Sequence, residues 1–453
     1  MKLPTKTDEW QEKLSKTLVF VCATILVLLP FHAFLTVWGA SLVGHYTLLR
    51  LWKEILLLGL LFGGALYIGL RLRQPAGLMA LRRAIRRPLV VAVSAYCLLM
   101  VVCGLVGLGA GAVTAKALAY GWLLDARFLA FFGIVWLLCS YNGWIIRHWR
   151  QLLLIPAIVV VVFGLLQFTV LPDNFLAHFG YGPFTIDAVQ TVDQKAAYHR
   201  VQSSLRGANP LGAYLVIIVA ALGGLLLRGR RPLYIAGFAA ACAVLGMTFS
   251  RSAWLGAAAA LGYLVWQAVS NAKARKLLVV AAAAGLLVFA AGGYMLRNND
   301  LVQNTLFHTD EHSTAGSSSN QGHFNATAVG VGDIARRPLG TGVGTAGPAS
   351  AYNIGPGKPG ARIAENYFVQ VGQEMGLLGL GLFVTINALL GMELWRRQHS
   401  LLARVLLASL VGISLINLLS HAWTDDTLAY VWWGLAGAAM ALPIVGKAGK
   451  TGV

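Results

Sequence analysis

Runs of about 20 apolar residues recur along nearly the whole chain, and each is long enough to carry a helix across the hydrocarbon layer of a bilayer. The apolar segments fall at about 17–39, 51–71, 88–112, 127–146, 152–171, 209–227, 232–249, 252–270, 277–296, 367–395, 402–420 and 428–446. They predict an all-α integral membrane protein with about 12 transmembrane helices, built as a single polytopic membrane domain over residues 1–453. Of those residues 57% are hydrophobic and only 12% are charged. A soluble domain carries about a quarter charged residues, so this chain lacks the polar surface that a water-soluble fold of its size requires. The first apolar run is too long for the core of a signal peptide and reads as the first span.

The formal net charge is +19, yet the positive residues sit in short clusters between apolar runs rather than on one face of a folded domain. That pattern argues against nucleic acid as a partner and for basic cytoplasmic loops in contact with membrane lipids. With the N-terminus inside, 23 of the 36 Lys and Arg fall in short cytoplasmic segments. Among them are Arg82, Arg83, Arg86, Arg87, Arg228, Arg230, Arg231, Arg396 and Arg397. Twelve spans with cytoplasmic N- and C-termini satisfy this charge bias at every loop. Two long segments then lie outside, at 172–208 and at 297–366. The second is the size of a functional loop, and short helices are expected in it at about 320–336 and near 300–308. No internal repeat is apparent, which argues against a transporter built from repeated halves. The five cysteines, Cys22, Cys97, Cys103, Cys139 and Cys242, all lie in apolar runs and read as small core hydrophobes.

Polar motifs cluster at the outer ends of the spans. Ser203-Ser204-Leu205-Arg206-Gly207-Ala208-Asn209-Pro210 leads into the sixth, and Thr248-Phe249-Ser250-Arg251-Ser252 divides the seventh from the eighth. An arginine between two apolar spans is costly unless it is paired or faces water. Guanidinium groups hold phosphate oxygens through paired hydrogen bonds, and a helix N-terminus adds amide donors and a positive dipole end. Arg206 and Arg251 are therefore the candidate anion clamp, with Asn209 beside them. A Gly-rich stretch, Arg336-Arg337-Pro338-Leu339-Gly340-Thr341-Gly342-Val343-Gly344-Thr345, lacks the strand context of a nucleotide loop and reads as a flexible turn over a lid. The third motif, Arg362-Ile363-Ala364-Glu365-Asn366-Tyr367 with Gln370 and Glu374, opens the tenth span. Its residues 363, 366, 367, 370 and 374 are expected on one helical face. Arg362, Asn366, Tyr367 and Asn209 are candidate substrate-binding residues, Glu365 is the first candidate for a proton acceptor, and His323, in the predicted loop helix, is the second. No His/Asp cluster with metal-ligand spacing appears outside, and neither metal nor cofactor is expected. The Asp425-Asp426 pair is a weak cation candidate, and His421 and Asp425 more readily structure the last outer turn.

These four stretches, in this order between about 203 and 379, resemble the O-antigen ligase and O-antigen polymerase family. The resemblance implies a glycosyltransferase in the bacterial cytoplasmic (inner) membrane with its site on the periplasmic side. The donor is then an undecaprenyl-diphosphate-linked glycan, the acceptor the hydroxyl of a glycan or lipid, and the leaving group the diphosphate, held by Arg206 and Arg251. Family ligases carry a loop histidine followed by Asn where this chain reads Glu365-Asn366. Two alternatives stay open: a polysaccharide polymerase of the same family, and a transporter of an anionic solute that uses Lys53 and Glu54 inside the membrane.

Overall fold

The computed structural model describes residues 6–192, 195–299, 302–303, 319–356 and 360–444. In chain order its helices are α1 (Lys6–Leu28), α2 (His32–Val43), α3 (Tyr46–Arg50), α4 (Trp52–Leu72), α5 (Pro75–Ile85), α6 (Pro88–Gly109), α7 (Ala115–Cys139) and α8 (Trp144–Thr169). They continue with α9 (Ala208–Leu226), α10 (Pro232–Met247), α11 (Arg251–Ala268), α12 (Ala272–Met295), α13 (Ser319–Arg336), α14 (Tyr367–Trp395), α15 (Leu401–Leu419) and α16 (Asp426–Met440). The protein is an all-α membrane protein, and the predicted apolar segments overlap these helices, with 17–39 covering both α1 and α2 and 127–146 running from α7 into α8. Eight helical segments among the described residues are long and apolar enough to cross a bilayer, the first formed by α1 and α2 joined through a short 3-10 turn at Leu29–Phe31. Apolar stripes such as Ile55, Leu58, Phe62 and Leu66 on α4 are exposed. Spaced at helical intervals, they are the faces that lipid covers.

The segment expected at 127–146 is corrected. The helix runs Ala115–Cys139, and the next begins at Trp144. Lys116, Asp125 and Arg127 break the apolar run in the sequence. In the fold Asp125 and Arg127 are buried and partnered, so the charges do not end the helix. The 172–208 loop is not purely irregular, because β1 (Gln190–Val192) and β2 (Lys195–Arg200) form a small antiparallel hairpin with Gln190 opposite Arg200. The helix predicted at 320–336 is α13. The one expected near 300–308 lies almost wholly outside the described residues.

Helices meet where small residues let backbones approach, as membrane packing favours. A Cβ on Gly256 of α11 would lie 2.9 Å from the Gly412 carbonyl oxygen of α15. The core between α7 and α16 is aromatic, with Phe128, Trp423, Trp432 and Trp433 buried against one another.

The Gly-rich stretch is not the flexible turn expected of it. It is wedged into the bundle, with Val343 wholly buried. Gly340, Gly342 and Gly344 all have positive φ. They bring the loop backbone against Gly107 of α6 and Ala117 of α7, where a side chain would not fit. Its other face meets α14 where that helix breaks at Gly376 (φ 65°, ψ −165°). The break leaves main-chain groups of α14 without helical partners, and the loop supplies them. Thr341 and Gly342 donate to the carbonyls of Gln373 and Glu374, and Leu377 donates to that of Pro338. The buried Glu374 carboxylate accepts the amides of Gly344 (2.8 Å) and Ala346 (3.3 Å). The buried Asp125 carboxylate nearby accepts from the Tyr367 hydroxyl at 3.0 Å.

Candidate active site

One cavity of about 510 Å³ gathers the termini of several elements. Arg200 comes from the end of β2, Asn209 from the first turn of α9, and Phe249 to Ser252 from the α10–α11 turn. His323 and Thr327 come from α13, Glu365 from the segment before α14, and Leu418 to Ser420 from the end of α15. Sharp turns deliver these groups. Phe249 and Glu365 both line the cavity with left-handed backbone, at φ 49° and 52°. A residue other than glycine holds that conformation at a cost of about 1–3 kcal/mol, and such strain concentrates at functional sites.

Two helix N-termini open onto the cavity, those of α9 and α11. Ser250, the N-cap residue of α11, makes no side-chain capping bond, and the positive end of the helix dipole lies at the cavity. Arg251 is the first residue of that helix. Arg200 is held in place by the Thr248 carbonyl (Nε to O 2.8 Å) and by Asn209 Oδ1 (Nη2 to O 2.5 Å). It ties the α10–α11 turn to the start of α9. Two guanidinium groups and two positive dipole ends thus converge on one space.

In the same cavity Glu365 Oε2 lies 3.4 Å from His323 Nδ1, and 3.6 Å from His421 Nδ1. Burial pushes the Glu365 carboxyl up, but the His323 hydrogen bond and the charges of His421 and His323 outweigh it and hold the group below its ordinary value. Burial pushes the His421 imidazole down, with Glu365 opposing and Arg206 adding to the depression.

The structure therefore brings together Arg251, Glu365, His323 and Asn209. Arg206 does not line this cavity. It lies on a neighbouring one, and the turn from Arg206 to Asn209 separates the two. The other substrate-binding candidates hold structure. Arg362 pairs with Asp333 at 2.8 Å. Asn366 caps α14, its Oδ1 accepting from Val369 N, and its amide donates to the Leu418 carbonyl. Tyr367 is wholly buried and bonded to Asp125. The helical face expected from residue 363 onward starts only at Tyr367, since Glu365 and Asn366 are non-helical.

Arg200 was missed in the sequence because nothing in its spacing sets it apart from an ordinary loop arginine. Its nearness to the Asn209-Pro210 motif is the one available signal. His421, read as a turn residue, stands beside Glu365. Lys53 and Glu54 pair with each other at 3.0 Å, as well as with Asp426 and Arg127 respectively, and His32 lies 3.2 Å from Asp426. Arg127 also pairs with Asp426. Lys53 is 1% exposed, so the Lys53–Glu54 pair braces helices and does not line an open solute path. The Asp425-Asp426 pair is likewise engaged, Asp426 in this network and Asp425 as the N-cap of α16.

No curated protein matches the chain. A family model described as O-antigen ligase matches residues 236–384, the stretch from α10 to the middle of α14. The match contains Arg251, His323 and Glu365 of the cavity wall, while Arg200 and Asn209 lie upstream of it. The motif resemblance and the matched region coincide on the elements that build the cavity, and it is this region, residues 236–384, that is similar to the O-antigen ligase family.

Proposed function

We propose that the protein is a membrane glycosyltransferase that moves a glycan from an undecaprenyl-diphosphate carrier to an acceptor hydroxyl. The observation that carries this reading is the single cavity lined by Arg200 and Arg251 together with the Glu365–His323 pair. The bond between the anomeric carbon and the diphosphate oxygen breaks, and the electron pair leaves with the diphosphate. Charge grows on that leaving group, and the two guanidinium groups and the positive dipole ends of α9 and α11 neutralise it. Fixed cations in that place do the work of a metal ion, so turnover should survive EDTA. The acceptor oxygen forms the new bond to the anomeric carbon and gives up its proton. His323 Nδ1 faces the Glu365 carboxylate, which leaves Nε2 to receive that proton. Arg206 takes a different part from the clamp first expected of it, since it faces the adjoining cavity.

The positive-inside bias supports a twelve-span topology with both ends in the cytoplasm of a bacterium. The cavity then opens on the periplasmic side of the inner membrane. Purified protein given lipid-diphosphate glycan and acceptor should release lipid diphosphate. Arg251→Ala and Arg200→Ala should each slow that release by about 100-fold or more. Unchanged turnover in both would refute the assignment.

A further inference from the structure

A second cavity, of about 430 Å³, adjoins the first and takes no part in the steps above. Two turns form the partition. In one, Arg206 faces the second cavity and Asn209 the first. In the other, Asp425 and Asp426 face the second and Ser420 the first. Tyr46, Arg50, Ile186 and Asp187 add to the second wall.

The two cavities differ in chemistry. The first collects guanidinium groups and helix N-termini around a space suited to phosphates. In the second, Arg50 and Arg206 are matched by Asp187 and Asp425, while Asp426 is already neutralised by Lys53 and Arg127 behind the wall. A balanced set of this kind repels a diphosphate through its carboxylates and has no surplus charge for an ion. It suits a neutral ligand that donates and accepts hydrogen bonds at many points. Each sugar hydroxyl does both, the carboxylates accepting and the guanidinium groups donating. Tyr46 and Ile186 supply apolar surface for the faces of a sugar ring.

From this geometry we infer that the second cavity is a saccharide subsite, which holds a neutral sugar unit next to the diphosphate clamp. The inference rests on the glycan-transfer reading. A sugar joined through its anomeric carbon to a diphosphate in the first cavity would reach across the 206–209 turn, and so would the glycan of an acceptor poised for attack.

The test uses the full-length protein in detergent and, as probe, the oligosaccharides released by mild acid from the lipid-linked glycan pool of the producing cell. Saturation-transfer NMR should show these sugars binding without lipid or phosphate. Asp187→Asn and Tyr46→Ala should weaken that binding by about three- to tenfold, the loss of one or two hydrogen bonds or contacts. Arg251→Ala should leave it unchanged. In turnover the same two variants should raise KM for one substrate, and the substrate affected identifies the sugar as the donor's or the acceptor's. Sugar binding that ignores Asp187 and Tyr46, or inorganic diphosphate binding that depends on them, would overturn the subsite while leaving glycan transfer intact. A wild-type protein that releases no lipid diphosphate would instead overturn the glycan-transfer reading itself.

Discussion

Glu365 and His323 were separate candidates in the sequence, and the fold makes them one device. The 41 residues between them are bridged because α13 lies along the start of α14, with Thr327 of α13 donating to the Ala364 carbonyl at 3.0 Å. If His323 accepts the proton and Glu365 orients it, the two act as a unit, and units of this kind lose activity non-additively. His323→Ala should slow lipid diphosphate release by about 100-fold or more. Adding Glu365→Gln to that variant should cost little further, and a fully additive loss in the double variant would show that the two act independently. The same cluster sets a pH dependence of stability. Glu365, held below its ordinary value, stabilises the fold above the unfolded carboxyl range and loses that contribution as pH falls through its folded value. His421, held neutral by burial, resists a proton that the unfolded chain takes up below about pH 6.5, so acid favours unfolding there too. The melting temperature in detergent should therefore fall on acidification from about pH 7 to about pH 5, chiefly through His421. His421→Gln should flatten that limb.

Elements were legible to different degrees, for physical reasons. Every apolar run became a helix, since hydrophobicity over that length leaves the backbone one way to satisfy itself in lipid. The offset at α7 arose because a buried Asp125 or Arg127 looks the same in sequence as a loop charge until its partner is known. The break in α14 was also hidden. Gly376 sits in an apolar run like any helix glycine, and only the loop packed against it requires its conformation. That fit is testable. Gly340 has φ +84°, and a Cβ there would lie 2.5 Å from the Glu374 carbonyl oxygen and 2.6 Å from the Gly376 nitrogen. Both neighbours are backbone and cannot swing aside. Gly340→Ala should cost at least about 2 kcal/mol and lower the melting temperature, since the left-handed conformation alone accounts for about 1–2 kcal/mol. Gly332→Ala is the internal control. It sits inside α13 with nothing within 4 Å of the added methyl group, and it should be neutral or stabilising by up to about 1 kcal/mol.

At the scale of the whole molecule, sidedness decides which substrates can reach the cavity. The clamp, the Glu365–His323 pair and the adjoining polar cavity draw on turns that lie at one end of the bundle in the charge-derived topology: the 172–208 loop, the α10–α11 turn, the segment before α14 and the turn before α16. The opposite end carries the arginine clusters between α4 and α6, between α9 and α10 and between α14 and α15. A lipid-linked diphosphate has its headgroup at a membrane surface, so a clamp for it must lie at the level of the helix ends on a single side. The sharpest check is accessibility in intact cells. All five native cysteines lie within helices, and they can be replaced to give a thiol-free background. In that background Asp173→Cys, in the loop after α8 where the native side chain is 59% exposed, should react with a membrane-impermeant maleimide in spheroplasts. Gln74→Cys, in the turn between α4 and α5, should react only after the membrane is opened. Positions 73 to 88 bear the densest arginine cluster of the chain, and a positively charged turn of that kind stays on the cytoplasmic side. Labelling of both sites from the same side would place the arginine cavity and the basic turns in one compartment. It would break the topology, and with it the periplasmic donor site, while leaving the cavity chemistry to stand or fall on the arginine variants.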